Sequence, residues 1–501
     1  MKNLSALIIL DGFGYRQESA NNAIAHAHMP HYKSWLQHYP HALLQASGTS
    51  VGLPENVVGN SLVGHSTIGA GRVIEQPTTI LLEQIKNGIF FNNSALTTKL
   101  AQLQKTGGSL HLMGLLSDTG NHSHETVLHA LIKLAHNKGI KRIVIHVFLD
   151  GRDVPPCSAD TYLKRLDNVI KDISEACIGT LQGRSFAMDR TNNADTISQA
   201  FDRLTTPYEA QFNSWHEALT YYYQRETSDE FIPPLTLTTN SNIKDGDGLI
   251  FWNTRADRAR LLISLFVDTK HPRLLWLITG IPYVRSQHST PFPISSLVEQ
   301  HAIPETLLHI FRTHNVTVGT FCESEKFAHV TYFFNGGHEV TNPHDLYVVV
   351  PSPKPQNIVS CPQLASRDIT TMLLCSLTSN PRDFYVVNYA NADMLGHTGN
   401  FAATVKSLEI LDEQLGILFN AIVTQRNGTL YITGDHGNAE LMNDATSTTC
   451  QTGHTNNPVP FVVISQQTYN QSITLNLHSL ADIAPYILQQ VNLPIPPAMQ
   501  R

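Results

Sequence analysis

The sequence predicts an α/β fold with largely parallel sheets covered on both faces, divided into two or three domains. Three observations carry that expectation. Short, continuous apolar runs recur at residues 6–10, 110–116, 142–149, 249–252, 273–279, 316–321, 384–389, 429–433 and 460–464. Unbroken apolar strands of this kind are buried on both faces, as parallel strands are. Helical periods lie between several of them. Val127, Leu128, Leu131, Ile132 and Ala135 share one face and end at Gly139, and Val405, Leu408, Leu411, Leu415, Leu418 and Ile422 form a second stripe. Finally, 501 residues exceed what one hydrophobic core organises.

The first run ends in Asp11-Gly12, which marks residues 4–10 as a strand rather than a secretory signal, since no small-residue cleavage site follows. No other run approaches the roughly 18 apolar residues of a membrane span. A net charge of −7 excludes the basic surplus that nucleic acid or an anionic membrane selects, so any anion site must draw on local arginines or metal ions. Cys157, Cys177, Cys322, Cys361, Cys375 and Cys450 are far apart and form no CxxC pair, which reads as reduced thiols in a cytoplasmic protein. The histidines at 26, 28, 31, 38 and 41 read as solvated or structural.

In doubly covered sheets, ligands gather beyond the carboxyl ends of the strands. Three strand ends there carry carboxylates and imidazoles: Asp11, then Asp393 and His397 in NYANADMLGHTG, then Asp435 and His436 in GDHGNAE; His454 follows in GHTNNPVP. Singly, each has an ordinary explanation. An Asp before Gly is a turn residue, Asp393 could cap a helix starting near Phe401, and a lone histidine is usually just hydrogen-bonded. Jointly, three carboxylates and three histidines without a thiolate form an oxygen/nitrogen set for Mn²⁺, Zn²⁺ or Mg²⁺. One catalytic ion needs fewer ligands, so two ions are expected.

NSLVGHSTIGAGR, residues 60–72, places Ser61 at the start of a helix. Locally Ser61 reads as the N-cap. Beside a metal pair its hydroxyl becomes a candidate nucleophile, activated by coordination. The helix terminus adds about 0.3–1 kcal/mol toward an anion.

The middle of the chain supplies arginines after three further strands: Arg152 with Asp153 in LDGRDVPP, Arg184 and Arg190 in QGRSFAMDR, and Arg255 and Arg258 in NTRADRAR. Any one of these would be an ordinary surface pair. Five at comparable strand ends, in an acidic protein, point to an anion site read by planar guanidinium forks. His122 in SDTGNHSHE and Lys326 in CESEKFAHVT add an imidazole and a point charge.

Together these segments resemble the cofactor-independent (2,3-bisphosphoglycerate-independent) phosphoglycerate mutases of the alkaline phosphatase superfamily. GNSLVGH, DGRD, QGR…MDR, NTRADRAR, ESEKFAHVT, NYANADMLGHTG, GDHGNAE and HTNNPVP occur in the family's order across nearly the whole chain. The resemblance implies a metal-binding, phosphatase-like domain from residues 1–75 and 300–501, with a phosphotransferase domain of residues 76–299 inserted in it. It implies Asp11, Ser61, Asp435 and His436 at one ion, and Asp393, His397 and His454 at the other, with Mn²⁺ first and Zn²⁺, Co²⁺ or Mg²⁺ as alternatives. His122, Arg152, Asp153, Arg184, Arg190, Arg255, Arg258 and Lys326 match substrate-binding positions. The implied reaction interconverts 3- and 2-phosphoglycerate through a phosphoserine on Ser61. In it Lys326 neutralises charge, and Asp153, with His122 as second candidate, is the acid/base. The expected partner is the small-molecule substrate alone, with no nucleic acid or membrane, bound by a monomer.

The chain departs from the family's pattern at Leu62, where glutamate is common, at Thr191, at NTRADRA and at Cys322. Two rivals remain at this point: another phosphohydrolase or phosphomutase of the superfamily, and a non-catalytic phosphate-binding protein.

Overall fold

The computed structural model describes the chain except for residues 1–3, 190–193, 257, 270–271, 284–289, 300–301, 339–343, 443–451 and 501. The chain divides into two compact units, Met1–Glu75 with His301–Arg501, and Gln76–Gln300.

The first unit is built on a seven-stranded sheet. From one edge its strands are Leu346–Val350, Val318–Glu323, Phe384–Tyr389, Ser5–Leu10, Thr429–Gly434, Val459–Ile464 and His41–Leu44. The first five run parallel, while Val459–Ile464 is antiparallel to both its neighbours. That reversal puts the start of Val459–Ile464 at the same edge as the carboxyl ends of the parallel strands. Ser5–Leu10 lies at the centre, and its alternation divides the core. Ala6, Ile8 and Leu10 pack on one face with Leu408, Leu411, Leu415 and Leu418 of the helix Phe401–Phe419. Leu7 and Ile9 pack on the other with Val63 and Ile68 of the helix Ser61–Ala70. A strand buried on both faces cannot alternate in polarity, which is why this segment is apolar throughout.

The second unit has its own seven-stranded sheet, ordered Leu235–Thr236, Ala176–Gly183, Ile143–Leu149, Leu110–Leu116, Gly248–Phe251, Trp276–Thr279 and Ile294–Ser296. All pairs are parallel except the one made by Leu235–Thr236. The chain steps outward from Leu110–Leu116 to Ile143–Leu149 and Ala176–Gly183, then returns to the opposite side with Gly248–Phe251. Such a reversal of strand order opens a crevice at the carboxyl ends. Val127, Leu128, Leu131, Ile132 and Ala135 of the helix Glu125–Asn137 are buried in this unit's core.

Ser61 is not the N-cap of its helix. Asn60 takes that place in an extended conformation (φ −152°, ψ 164°), and its side chain accepts the Val63 N–H. Asn60 can do this because its carbonyl reaches the third amide of the helix, so Ser61 becomes the first helical residue and its hydroxyl is released from capping. Nor does Asp393 cap the following helix, since Asn400 accepts the Ala403 N–H there. Small residues let the Ser61 helix press against its surroundings. A Cβ on Gly64 would stand 2.4 Å from the Asp435 carbonyl oxygen, and one on Gly69 would stand 1.9 Å from that of Phe334.

Gly64→Ala therefore sets a helix-propensity gain of about 1 kcal/mol against a clash with a backbone atom that cannot move without shifting Asp435. The clash prevails. Thermal denaturation is expected to show a net loss of about 1–3 kcal/mol, and an unchanged or raised Tm would contradict this packing.

Candidate functional site

Four adjacent parallel strands of the first unit end at the same edge, and each delivers a polar residue. Asp11 follows Ser5–Leu10, Asp393 follows Phe384–Tyr389, Asp435 and His436 follow Thr429–Gly434, and Lys326 follows Val318–Glu323. Gly12 makes the first of these turns possible. Its φ is +75°, and a Cβ there would lie 2.7 Å from the Asp393 backbone. Asp393 and His397 sit one turn apart across the short helix Asn391–Gly396 and its cap, which puts both on one face. His454 comes in from the loop before Val459–Ile464, tied at Thr455 to Gly437.

The result is two triads of donor atoms, each within 4.8 Å of one another: Asp11, Asp435 and His436, and Asp393, His397 and His454. Lys326 joins them. Its Nζ donates to Asp11 Oδ1 at 2.6 Å, to Asp393 Oδ2 at 2.7 Å and to Ser61 Oγ at 3.0 Å. The Ser61 hydroxyl also lies 3.0 Å from Asp11 Oδ1 and 3.0 Å from His436 Nε2. All of these except His397 and His454 are buried.

The residues fit divalent cations. Nδ1 of His397, His436 and His454 faces the carbonyl of Thr452, Gly437 and Gly59 respectively, at 2.6, 3.3 and 2.8 Å. A carbonyl only accepts, so each Nδ1 carries a proton and each Nε2 is presented to the cluster, the arrangement of a metal-ligating imidazole. The Nε2 atoms of His397 and His454 converge to 3.1 Å. Asp393 Oδ1 and Asp435 Oδ2 are buried without a hydrogen-bond partner. Buried carboxylate oxygens in that condition suit a cation.

Electrostatics follow from the crowding. Burial favours the neutral amine of Lys326, but Asp11, Asp393 and Asp435 outweigh it and hold the ammonium well above its usual pKa. Burial likewise opposes ionisation of Asp11 and Asp393, yet Lys326 together with the histidines keeps both well below the carboxylate range. For His436, burial is overcome by Asp435, Asp11 and Asp393, and its pKa rises to about 9. Asp393 raises that of His397, whereas burial and His436 lower that of His454.

In the second unit the described anion residues also sit at carboxyl ends: His122 and Arg255 follow the two strands that flank the reversal of strand order, and Arg152 and Arg184 follow the next two strands on one side. Arg184 is buried and its Nη1 pairs with Asp150 at 2.6 Å and Asp153 at 2.7 Å. Arg152 Nε donates to Glu230 at 2.8 Å. His122 Nε2 is 3.9 Å from Asp153, and Arg255 reaches Asn121 at 3.4 Å. Arg258 lies half-buried just beyond Arg255, and Arg190 lies outside the described residues. Asp150 shapes the loop by accepting the Asp153 N–H at 3.0 Å.

The comparisons with known proteins now bear on these two clusters. A family model described as the BPG-independent PGAM N-terminus matches residues 81–290. A 2,3-bisphosphoglycerate-independent phosphoglycerate mutase of Legionella pneumophila (strain Lens) is 40% identical over 506 residues, covering 98% of this chain and 96% of the relative. The chain belongs to that family. Mutases of the same description from Thiobacillus denitrificans (39% identical) and Clostridium perfringens strain SM101 (38%) each match over 98% of this chain and 97% of their own. The crystal structure of Leishmania mexicana phosphoglycerate mutase, solved at low cobalt concentration, superposes with a TM-score of 0.83 at 27% identity, over 100% of this chain and 97% of that one. As a phosphoglycerate mutase, this member of the family is an isomerase.

Several residues at these sites escaped the sequence analysis. Glu440 is buried and accepts from Gly14 N at 3.1 Å, Asn438 N at 2.8 Å, Asn457 Nδ2 at 3.0 Å and the Thr455 hydroxyl, tying the loops that carry Asp11, Asp435 and His454. His65 and Asn388 lie beneath Asp11 and Asp435. Asp150 and Glu230 hold the arginines. GDHGNAE already contained Glu440, but nothing local distinguishes a buried clamp from a surface carboxylate. Of the departures from the family pattern, Leu62 packs half-buried against the core on the Ser61 face. Cys322 is fully buried, its thiol pushed up to about 12 by burial and Glu323, which makes it an inert core residue. Thr191 lies outside the described residues.

Because a ligating imidazole must give up its Nε2 proton, Mn²⁺ affinity at the Asp11, Asp435 and His436 triad should rise about tenfold per pH unit up to about pH 9, then level off. Titration calorimetry in buffers of different ionisation enthalpy should register the proton released, and affinity independent of pH between 6 and 9 would contradict it.

Proposed function

We propose that the chain interconverts 3-phosphoglycerate and 2-phosphoglycerate without 2,3-bisphosphoglycerate, by way of a phosphoserine at Ser61 and two bound divalent ions. One observation carries the reading. A single buried hydroxyl, at the first position of a helix, meets an aspartate, an imidazole and a lysine at 3.0 Å each. An ordinary structural serine has no need of that company.

Asp11, Asp435 and His436, with Ser61, would hold one ion, and Asp393, His397 and His454 the other. Mn²⁺ is the first candidate, with Zn²⁺, Co²⁺ and Mg²⁺ as alternatives for this oxygen/nitrogen set. Bound ions supply Lewis acidity and lower the pKa of a coordinated hydroxyl. The chain's own groups do the remainder. Ser61 Oγ, entering as the alkoxide that such coordination would favour, forms its bond to phosphorus as the bond to the substrate's 3-oxygen breaks. It is released as the alkoxide when the phosphoryl group departs again. The departing oxygen takes a proton from Asp153, with His122 as the second candidate donor. The glycerate then presents its 2-hydroxyl, which loses a proton to the same group as it takes the phosphoryl group from Ser61. Lys326, fixed as an ammonium, neutralises the oxygens in transit. Arg152, Arg184, Arg190, Arg255 and Arg258 bind the charged ends of the substrate. The bidentate edge of Arg184, Nε and Nη2, is the side not engaged by Asp150 and Asp153.

A hydrolase of the same metal chemistry has no use for Arg152, Arg184 and Arg255 at three strand ends of the second unit. A substrate charged at both ends, which must stay bound while it turns, does. The reading takes the enzyme as a monomer of the reducing cytoplasm serving glycolysis and gluconeogenesis. In its support, Cys157, Cys177, Cys322, Cys361 and Cys375 are unpaired thiols, and among the described residues no helix is long and apolar enough to cross a membrane.

Purified protein given 3-phosphoglycerate and Mn²⁺ should form 2-phosphoglycerate, and a chelator should abolish the conversion. Free phosphate as the main product would make it a hydrolase, and no turnover with any metal would make it a binding protein. Ser61→Ala should lower kcat by at least about 10⁴-fold with an unchanged circular dichroism spectrum. Arg184→Ala should act chiefly on KM for a substrate that keeps its carboxylate.

A further inference from the structure

Beneath the first triad lies a hydrogen-bonded chain that touches no solvent. His65 and Asn388 are both 0% exposed. Asn388 Nδ2 is 2.8 Å from Asp11 Oδ2 and 3.0 Å from His65 Nε2. His65 Nδ1 is 2.7 Å from the Ser61 carbonyl oxygen and 3.2 Å from Asp435 Oδ2. Two strand ends and the first turn of the Ser61 helix are thereby linked through two side chains.

The direction of every bond in this chain is determined. Asp11 is a carboxylate and only accepts, so the amide nitrogen of Asn388, not its oxygen, must face it. The second amide hydrogen then points at His65 Nε2, which must offer a lone pair. The His65 proton is left on Nδ1, where it donates to the Ser61 carbonyl and faces Asp435. The Asn388 oxygen is buried without a partner, as expected of an amide whose orientation is imposed by the charge beside it. Each carboxylate is thus anchored by one oxygen and presents the other. Asn388 occupies Asp11 Oδ2 and leaves Oδ1 to Ser61 and Lys326. The N–H groups of Gly12 and His436, each at 3.0 Å, occupy Asp435 Oδ1 and leave Oδ2 between His65 and His436.

We infer that His65 and Asn388 are positioning residues for one of the two metal sites. Asn388 sets the orientation of Asp11, and His65 fixes Asn388 and the Ser61 turn, and so they control ion affinity at that triad and not at Asp393, His397 and His454. The inference rests on the two-ion reading above. His397 and His454 take their orientation from the carbonyls of Thr452 and Gly59, which this chain does not reach, and that separation makes the effect selective. A carboxylate or imidazole that loses its outer hydrogen bond typically costs 10–100-fold in metal affinity.

Mn²⁺ binding by titration calorimetry tests this. Wild type should take up two ions, and fewer would sink the two-ion reading itself, whatever the variants do. If wild type binds two, Asn388→Ala and His65→Ala should weaken one ion about 10–100-fold and leave the other within twofold. In a His397→Ala background, which isolates the first triad, Asn388→Ala should weaken the remaining ion by the same factor. His65→Asn keeps an N–H near the Nδ1 position and should recover part of the lost affinity. His65→Asn and Asn388→Ser carry the test should either alanine variant fail to fold. Equal weakening of both ions, or no weakening of either, would overturn the inference.

Discussion

Three aspartates buried at neighbouring strand ends are the constraint on which the first unit turns. Two like charges 4 Å apart repel by about 4 kcal/mol at an effective dielectric of about 20, and burial denies them water. The fold must therefore gather positive charge at the same edge. Lys326 reaches Asp11 and Asp393 together, and His397 and His436 have their pKa values raised by those same carboxylates. The buried oxygens Oδ1 of Asp393 and Oδ2 of Asp435, which face imidazoles but have no hydrogen-bond partner, are where a divalent cation would fit.

The parallel sheet is what makes such crowding possible. Because Val318–Glu323, Phe384–Tyr389, Ser5–Leu10 and Thr429–Gly434 are successive neighbours running the same way, their carboxyl ends converge on one edge although they come from distant parts of the chain. The one antiparallel strand among the central elements brings His454 to that edge from the opposite direction. The strand ends are set by backbone ladders and apolar cores on both faces, so these carboxylates and imidazoles stand on rigid supports.

The second unit meets a similar difficulty with the opposite sign. Burying Arg184 requires carboxylates, and Asp150 and Asp153 provide them at hydrogen-bond distance. Arg152 is balanced by Glu230 in the same way. Guanidinium groups held by fixed partners are already oriented, so an anion does not have to order them, and ordering a long side chain costs about 0.5–1.5 kcal/mol on binding.

Most members of the clustered candidate site were legible from the sequence. Asp11, Asp393, His397, Asp435, His436 and His454 are polar residues placed directly after or before apolar runs, and period and polarity are local properties of a sequence. The α/β class followed for the same reason, as did the helical stripes at 127–135 and 405–422. What the tertiary structure decided is orientation and company. Asn60 rather than Ser61 caps the helix, because the cap is chosen by backbone conformation and not by residue type alone. Strand Val459–Ile464 runs backward, which its composition does not encode. Lys326 was a lone charge in the sequence, and only the adjacency of Val318–Glu323 to Phe384–Tyr389 sets it between two aspartates. His65, Asn388 and Glu440 became visible only in the fold, because a buried hydrogen bond joins residues hundreds of positions apart and leaves no periodic trace between them.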